Sequence, residues 1–222
     1  MQPSLPEKVP ARAQYFHFQN DSGFMETGFF DFEAMRKDLE SKDFVWLHLS
    51  GSVGEEFWGH LQNFADLSDE QLKMLKYPHP KPFFEEVRNG LFWTIQKPFV
   101  TEQTDAIENL NFYLIERVLF TRQFSQDPAF NLVTHRLMSQ GEDLKDLTVD
   151  KLCAQLIDDV LDSYAEFLSV GGARLELIQN KIIRRPGTEE LQMINAAQQM
   201  IWIFLKSVWP IETVLQGMVR TK

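Results

Sequence analysis

Two long seams in the last third of the chain limit its possible folds more than any other feature. The first runs Leu161, Tyr164, Leu168, Gly171, Leu175, Ile178, Ile182, in alternating steps of three and four. The second runs Leu191, Ile194, Gln198, Ile201, Leu205, Val208, Glu212, Leu215 with the same alternation. A period of 3.5 is what helices need to pack along a shared line. Arg185-Pro186-Gly187 stops the first helix, because proline cannot continue the hydrogen-bond ladder, and Thr188 stands as the N-cap of the second. The pattern predicts an antiparallel hairpin with arms of 33 to 37 residues. Each arm is then roughly 50–55 Å long, whereas a domain of this chain length is roughly 30–40 Å across. The hairpin must project beyond the rest of the protein or run along its full side, and its second face needs a cover.

The chain ahead of the seams reads differently. The first dozen residues, with three prolines, form a lead-in. Segments 13–19 and 23–30 read as strands around Asn20-Asp21-Ser22-Gly23, and Asp31 as the N-cap of a helix bearing Phe32, Met35 and Leu39. Segment 44–49 alternates Phe44, Trp46, His48 with Val45, Leu47, Leu49, the pattern of a strand covered on both faces. Ser52 or Gly54 opens one helix and Ser68 caps another. Tyr77-Pro78-His79-Pro80-Lys81-Pro82 excludes helix, and Asn89-Gly90 between two apolar runs predicts a hairpin. Segments 107–115 and 117–124 add two strands; Pro128 opens a helix that Gly141 ends, and Thr148 begins the first long one. The result is an α/β (α+β) chain: a sheet domain of six or seven strands at 1–141, then the helical hairpin at 142–222.

Thirty-two acidic against 22 basic residues give a net charge of −10. That balance disfavours nucleic-acid binding, which relies on clustered Lys and Arg. The single cysteine, Cys153, excludes a disulfide framework and any CxxC site, and reads as a small core residue. No run approaches the roughly 20 apolar residues of a membrane span, and no secretory leader is visible. The 222 residues are expected to be soluble and intracellular.

One constellation could carry chemistry. Asp158, Asp159, Asp162 and Glu166 share a side of the first long helix at i,i+3 and i,i+4 spacing, where like charges repel. A partly hydrated divalent cation (Mg²⁺ or Zn²⁺), held weakly, would offset the repulsion; a solvated acidic face is the other reading. The five histidines, His17, His48, His60, His79 and His135, form neither HxxxH nor HExxH, and no phosphate-loop or nucleophile-elbow motif occurs. Gly171-Gly172 in mid-helix marks a close approach or a bend. Trp202, Phe204 and Trp209 lie partly off the seam and read as core, packed against the sheet domain or another subunit.

Several segments, in order, resemble the CorA-type divalent-cation transporter family, which includes the ZntB zinc transporters. These are Val45-Trp46-Leu47-His48-Leu49-Ser50-Gly51, the stretch Leu75-Lys76-Tyr77-Pro78-His79-Pro80-Lys81-Pro82-Phe83-Phe84-Glu85, and Leu119-Phe120-Thr121-Arg122. The clearest match is Leu156-Ile157-Asp158-Asp159-Val160-Leu161-Asp162-Ser163-Tyr164, followed across the hairpin by Trp209-Pro210-Ile211-Glu212-Thr213-Val214-Leu215. The resemblance implies an αβα sandwich with a mixed sheet and two long helices. It implies no enzyme but the cytoplasmic regulatory domain of a Mg²⁺, Co²⁺ or Zn²⁺ transporter at the inner membrane face. A pentameric homo-oligomer is implied too, with a stalk helix, a Gly-Met-Asn signature and two membrane spans beyond Lys222. In two places the sequence departs from members of the family: Lys181, Arg184 and Arg185 occupy an often acidic hairpin tip, and Leu72 stands where some carry a regulatory carboxylate, with Asp69 and Glu70 nearer the helix start. Taken without the resemblance, the residues also fit a soluble protein–protein interaction or signalling module.

Overall fold

The computed structural model describes residues 12–19, 24–28, 32–38, 43–100, 105–125, 129–140, 144, 146–184 and 188–220. Residues 1–11 of the expected lead-in, the turn at 20–23, the Asp31 cap, Pro128, Gly141 and the turn at 185–187 lie outside the described residues, and Arg12 already belongs to the first strand.

Seven strands form one sheet: β1 (Arg12–Gln19), β2 (Phe24–Gly28), β3 (Phe44–Ser50), β4 (Phe83–Val87), β5 (Gly90–Val100), β6 (Asp105–Ile115) and β7 (Val118–Gln123). Their order is β2-β1-β3-β7-β6-β5-β4. β3 and β7 run parallel and every other neighbouring pair antiparallel, so the sheet is mixed. Helices α1 (Phe32–Asp38), α2 (Glu55–Phe64) and α3 (Asp69–Lys76) cover one face. The other is covered by α4 (Asn131–Gln140), α5 (Val149–Arg184), α6 (Thr188–Val208) and α7 (Ile211–Arg220). This is the αβα sandwich with its hairpin.

Alternation along the strands builds two cores. On β3, Phe44 and Trp46 face the long helices while Val45, Leu47 and Leu49 face α1–α3, and all seven residues are buried. Registered aromatic pairs lock the strands: Phe16 stacks on Trp46 (4.7 Å), Phe18 on Phe44 (4.4 Å) and Trp93 on Phe112 (5.0 Å). Such cross-strand pairs contribute beyond their buried area. Ser68 and Gln71 form a reciprocal capping box at the start of α3, and Lys151 N–H donates to Thr148 Oγ1 at the start of α5.

The β4–β5 hairpin forms where expected, but Asn89-Gly90 is not its centre. Val87 pairs with Gly90, so the two-residue loop is Arg88-Asn89 and Gly90 is already in β5. A Cβ on Gly90 would overlap the Leu114 carbonyl oxygen of β6, so glycine is required by a close approach.

The hairpin departs from expectation in three ways, the first being that Leu168 and Leu175 of the first seam face outward. Its second arm is not one helix, because α6 ends at Val208 and α7 begins at Ile211, across Trp209-Pro210. Proline has no N–H to give, although Trp209 N–H still reaches Leu205 O (3.1 Å) and Val214 N–H reaches Pro210 O (3.3 Å). The second seam is also rotated by one residue, about 100° of helix. Ala197, Met200 and Ser207 of α6 are buried and Phe204 packs against the core, whereas Leu191, Gln198, Ile201 and Leu205 of the expected seam are exposed; its Ile194 is half-buried and its Val208 still packs inward. Gly171 explains the choice: the Met200 side chain occupies the space a Cβ would need, with Sδ 3.1 Å away, whereas Gly172 has nothing within 4 Å. Trp202 (67% exposed) and Trp209 (77%) are therefore surface residues, and only Phe204 of the expected aromatic stripe enters the core, against Tyr164 and Phe167.

Candidate functional site

The acidic stripe is split by the structure. Asp158, Asp162 and Glu166 are exposed on α5, whereas Asp159 is buried against the sheet. Its Oδ2 lies 3.3 Å from Lys97 Nζ of β5, and the same ammonium donates to Ala129 O at 2.8 Å. Asp159 is thus an anchor for α5. Glu166 borders a small cleft of about 260 Å³ between β5 and α5 that also holds Lys97, Ser163 and Phe167. Among the described residues no group of three or more His, Cys, Asp or Glu is placed to hold a metal ion.

The histidines serve separate joints. His17 meets Asp43 at 3.0 Å, His79 Nε2 donates to Met74 O (2.7 Å), and His60 and His135 are exposed. His48 is buried beside Thr121, with Nδ1 2.8 Å from Oγ1. Burial lowers its pKa to about 4; hydrogen bonding to the Gln123 side chain pulls the other way and the Arg122 charge adds to the fall. The same burial pushes the Cys153 thiol up to about 12, with help from Asp150, so it remains a protonated core group.

The segments singled out in the sequence turn out to be joints between layers. Asn111 of β6 gives its side-chain amide to Met74, Leu75 and Tyr77 carbonyls, capping the C-terminal end of α3 before the proline segment. Gln96 donates to His79 and Pro80 carbonyls, holding that segment to β5. Arg122, buried between Trp58 and Phe124, donates to Gly51 and Gln123 carbonyls and so joins the ends of the parallel pair β3 and β7. Burial draws its pKa down to about 10, against the opposing charge of Glu108.

Tyr164 is the joint between sheet and hairpin. Its hydroxyl sits against the Gln96 carbonyl of β5 and 3.2 Å from the Ser207 carbonyl of α6, and burial pushes its pKa up. Arg174 completes the attachment with a two-oxygen contact to Asp105 at the start of β6 (2.7 and 2.9 Å). Sequence reasoning missed Lys97, Asp105 and Arg174 because isolated charges carry no periodic signal. Beyond these anchors Leu175 and Leu177 of α5 are exposed, while Ile178 is buried.

A mixed αβα sandwich with a long helical hairpin pinned to one face defines the fold class. The family described as CorA-like Mg²⁺ transporter protein matches residues 41–222, and the chain belongs to it. It is 19% identical over 192 residues to the cobalt/magnesium transport protein CorA of Thermotoga maritima, covering 86% of this chain but 55% of that protein. The chain therefore spans about half the length of this relative. The fold is similar to the soluble domain of CorA from Methanocaldococcus jannaschii, with TM-score 0.75 at 17% identity, covering 94% of this chain and 80% of that one. It is also similar to the ZntB cytoplasmic domain from Vibrio parahaemolyticus, with TM-score 0.71 at 10% identity and the same coverage. Among the described residues no helix is long and apolar enough to cross a membrane.

Proposed function

We propose that the chain is the cytoplasmic regulatory domain of a divalent-cation transporter whose cargo is Mg²⁺, Co²⁺ or Zn²⁺. In this reading it works as part of a homopentamer on the inner face of the membrane. The observation that supports it is the family match over residues 41–222 together with a fold shared with CorA and ZntB domains. The relatives are described as transport proteins, which favours a non-enzymatic role. For a regulatory ligand the reading rests on Asp158, Asp162 and Glu166, which lie exposed along α5 and do not cluster to hold an ion directly, so the expected contact is one or two carboxylates to a hydrated cation.

Exposed carboxylates around a mostly hydrated Mg²⁺ bind weakly, so a Kd between roughly 0.1 and 10 mM is expected. Titration calorimetry and thermal melts of the 222-residue chain with Mg²⁺ or Zn²⁺ test this. The Asp158→Asn, Asp162→Asn, Glu166→Gln triple variant should lose the shift, and monovalent salt at matched ionic strength should not reproduce it. No shift at ~20 mM Mg²⁺, or an equal shift in the variant, removes this stripe from the reading.

A further inference from the structure

We propose that α7 is a hinged strap: a helix that pivots at Ser207–Pro210 and is latched to the sheet by the seat of Gly217 on Phe84. This rests on contacts within the chain and not on the transport reading, so its test stands apart from that one.

The pivot has three parts. Pro210 interrupts the helical ladder between α6 and α7. Ser207 Oγ bonds back to Ile203 O at 2.9 Å, a geometry that bends helices. The Ser207 carbonyl, four residues before Ile211, shares the Tyr164 hydroxyl of α5 with the Gln96 carbonyl of β5, so the bend keeps a partner outside its own helix. The pivot is therefore fixed to α5 and can stay in place while α7 moves.

The latch is at the far end of the ten-residue helix. A Cβ on Gly217 would overlap Cδ1 of Phe84 and lie 2.7 Å from Cγ, so the β4 ring seats directly on the helix backbone. Glycine is a poor helix former, and this seat is what its presence in α7 serves. Between pivot and latch, Ile211 and Val214 are buried and Leu215 half-buried against the sheet, with Met218 half-buried just past the latch. β4 is the last strand of the sheet, so α7 closes over an edge and not over the centre. The elbow between α6 and α7 encloses an apolar groove of about 580 Å³ lined by Leu205, Trp209, Leu215 and Val219, whose shape depends on the angle of α7. An isolated helix this short is unstable in water, so release from the latch and fraying of α7 are one event. The strap then sets the direction in which the chain leaves the sheet.

Hydrogen exchange read by mass spectrometry on the whole chain tests this with a size swap. In Gly217→Leu, amides of 211–220 should exchange at least ~10-fold faster while those of β5, β6 and β7 stay within ~2-fold of the parent. Phe84→Ala should loosen α7 less. The Phe84→Ala/Gly217→Leu double variant, in which the new side chain fills the space of the lost ring, should return α7 to within ~3-fold of the parent. Should Gly217→Leu not fold, Gly217→Ala is the test, with the same expected confinement to α7; failure of both to fold overturns the proposal. It is also overturned by unchanged α7 protection, by equal acceleration across the sheet, or by a double variant as fast as Gly217→Leu.

Discussion

Thr121 and His48 form a buried polar pair between β3 and β7. Thr121 Oγ1 accepts from Trp46 Nε1 at 2.8 Å and lies 2.8 Å from His48 Nδ1. Burial lowers the His48 pKa to about 4, which keeps the imidazole neutral at pH 7. A group whose folded pKa lies below its unfolded value of 6.5 binds fewer protons when folded, so its contribution is complete above pH 6.5 and is lost as pH falls towards 4. Integrated over that window the loss approaches about 3 kcal/mol. Urea melts of the parent and of His48→Asn at pH 7.0, 5.5 and 4.5 check this. The parent should lose more stability than the variant over the range, and parallel curves would show that His48 is not the group responsible. At the alkaline end Tyr113 acts in the opposite direction: burial pushes its phenol up to about 12, so its contribution holds below pH 10 and falls as pH rises towards 12.

At the scale of elements, the two neighbouring glycines of α5 have opposite roles. Gly172 is exposed and a Cβ there meets nothing within 4 Å, so Gly172→Ala should stabilise the chain by about 0.5–1 kcal/mol through helix propensity alone. Gly171 is buried under Met200, and Gly171→Leu should destabilise by about 1–3 kcal/mol by forcing α6 away. Chemical denaturation curves for both variants measure the contrast, and the same sign for the two would contradict the close approach. Gly171 also explains how much of the hairpin was legible in the sequence. Period, approximate length and the Thr148 start could be read, because repeating apolar residues and caps are local signals. The phase could not: Leu191, Ile201 and Leu205 form the more apolar stripe, but at the close approach to Gly171 it is Met200 that turns inward, on the face that also buries Ala197 and Ser207. The break at Pro210 was missed because the seam spacing runs through it without a gap. The strands were read from their alternation. Lys97–Asp159 and Arg174–Asp105 were not, since they join residues 62 and 69 positions apart. For the candidate site the sequence placed four carboxylates on one helix, and only the fold shows that Asp159 turns inward to Lys97.

For the whole molecule, two opposing surface properties decide association. The rotation of α6 leaves Leu191, Ile201, Trp202 and Leu205 on the surface, and Trp209 and Val219 extend that apolar surface past the elbow. An exposed apolar patch of this kind favours contact with another surface. Against it stands a net charge of −10, which makes copies of the chain repel one another. Repulsion between exposed charges is screened within a Debye length of about 8 Å at physiological salt, whereas apolar contact is not weakened by salt. The balance therefore shifts with ionic strength in one direction. Light scattering on the 222-residue chain at ~10 µM should show mainly monomer in low salt, with the mean mass rising as NaCl is increased. Trp202→Ser and Trp209→Ser together should suppress the rise, because they remove the two most exposed aromatic rings among the described residues. A divalent cation that binds Asp158, Asp162 and Glu166 should promote association at a lower ionic strength than NaCl, by neutralising charge on the outer side of α5. A salt-insensitive pentamer at that concentration would show that contacts within this part of the protein already outweigh its charge.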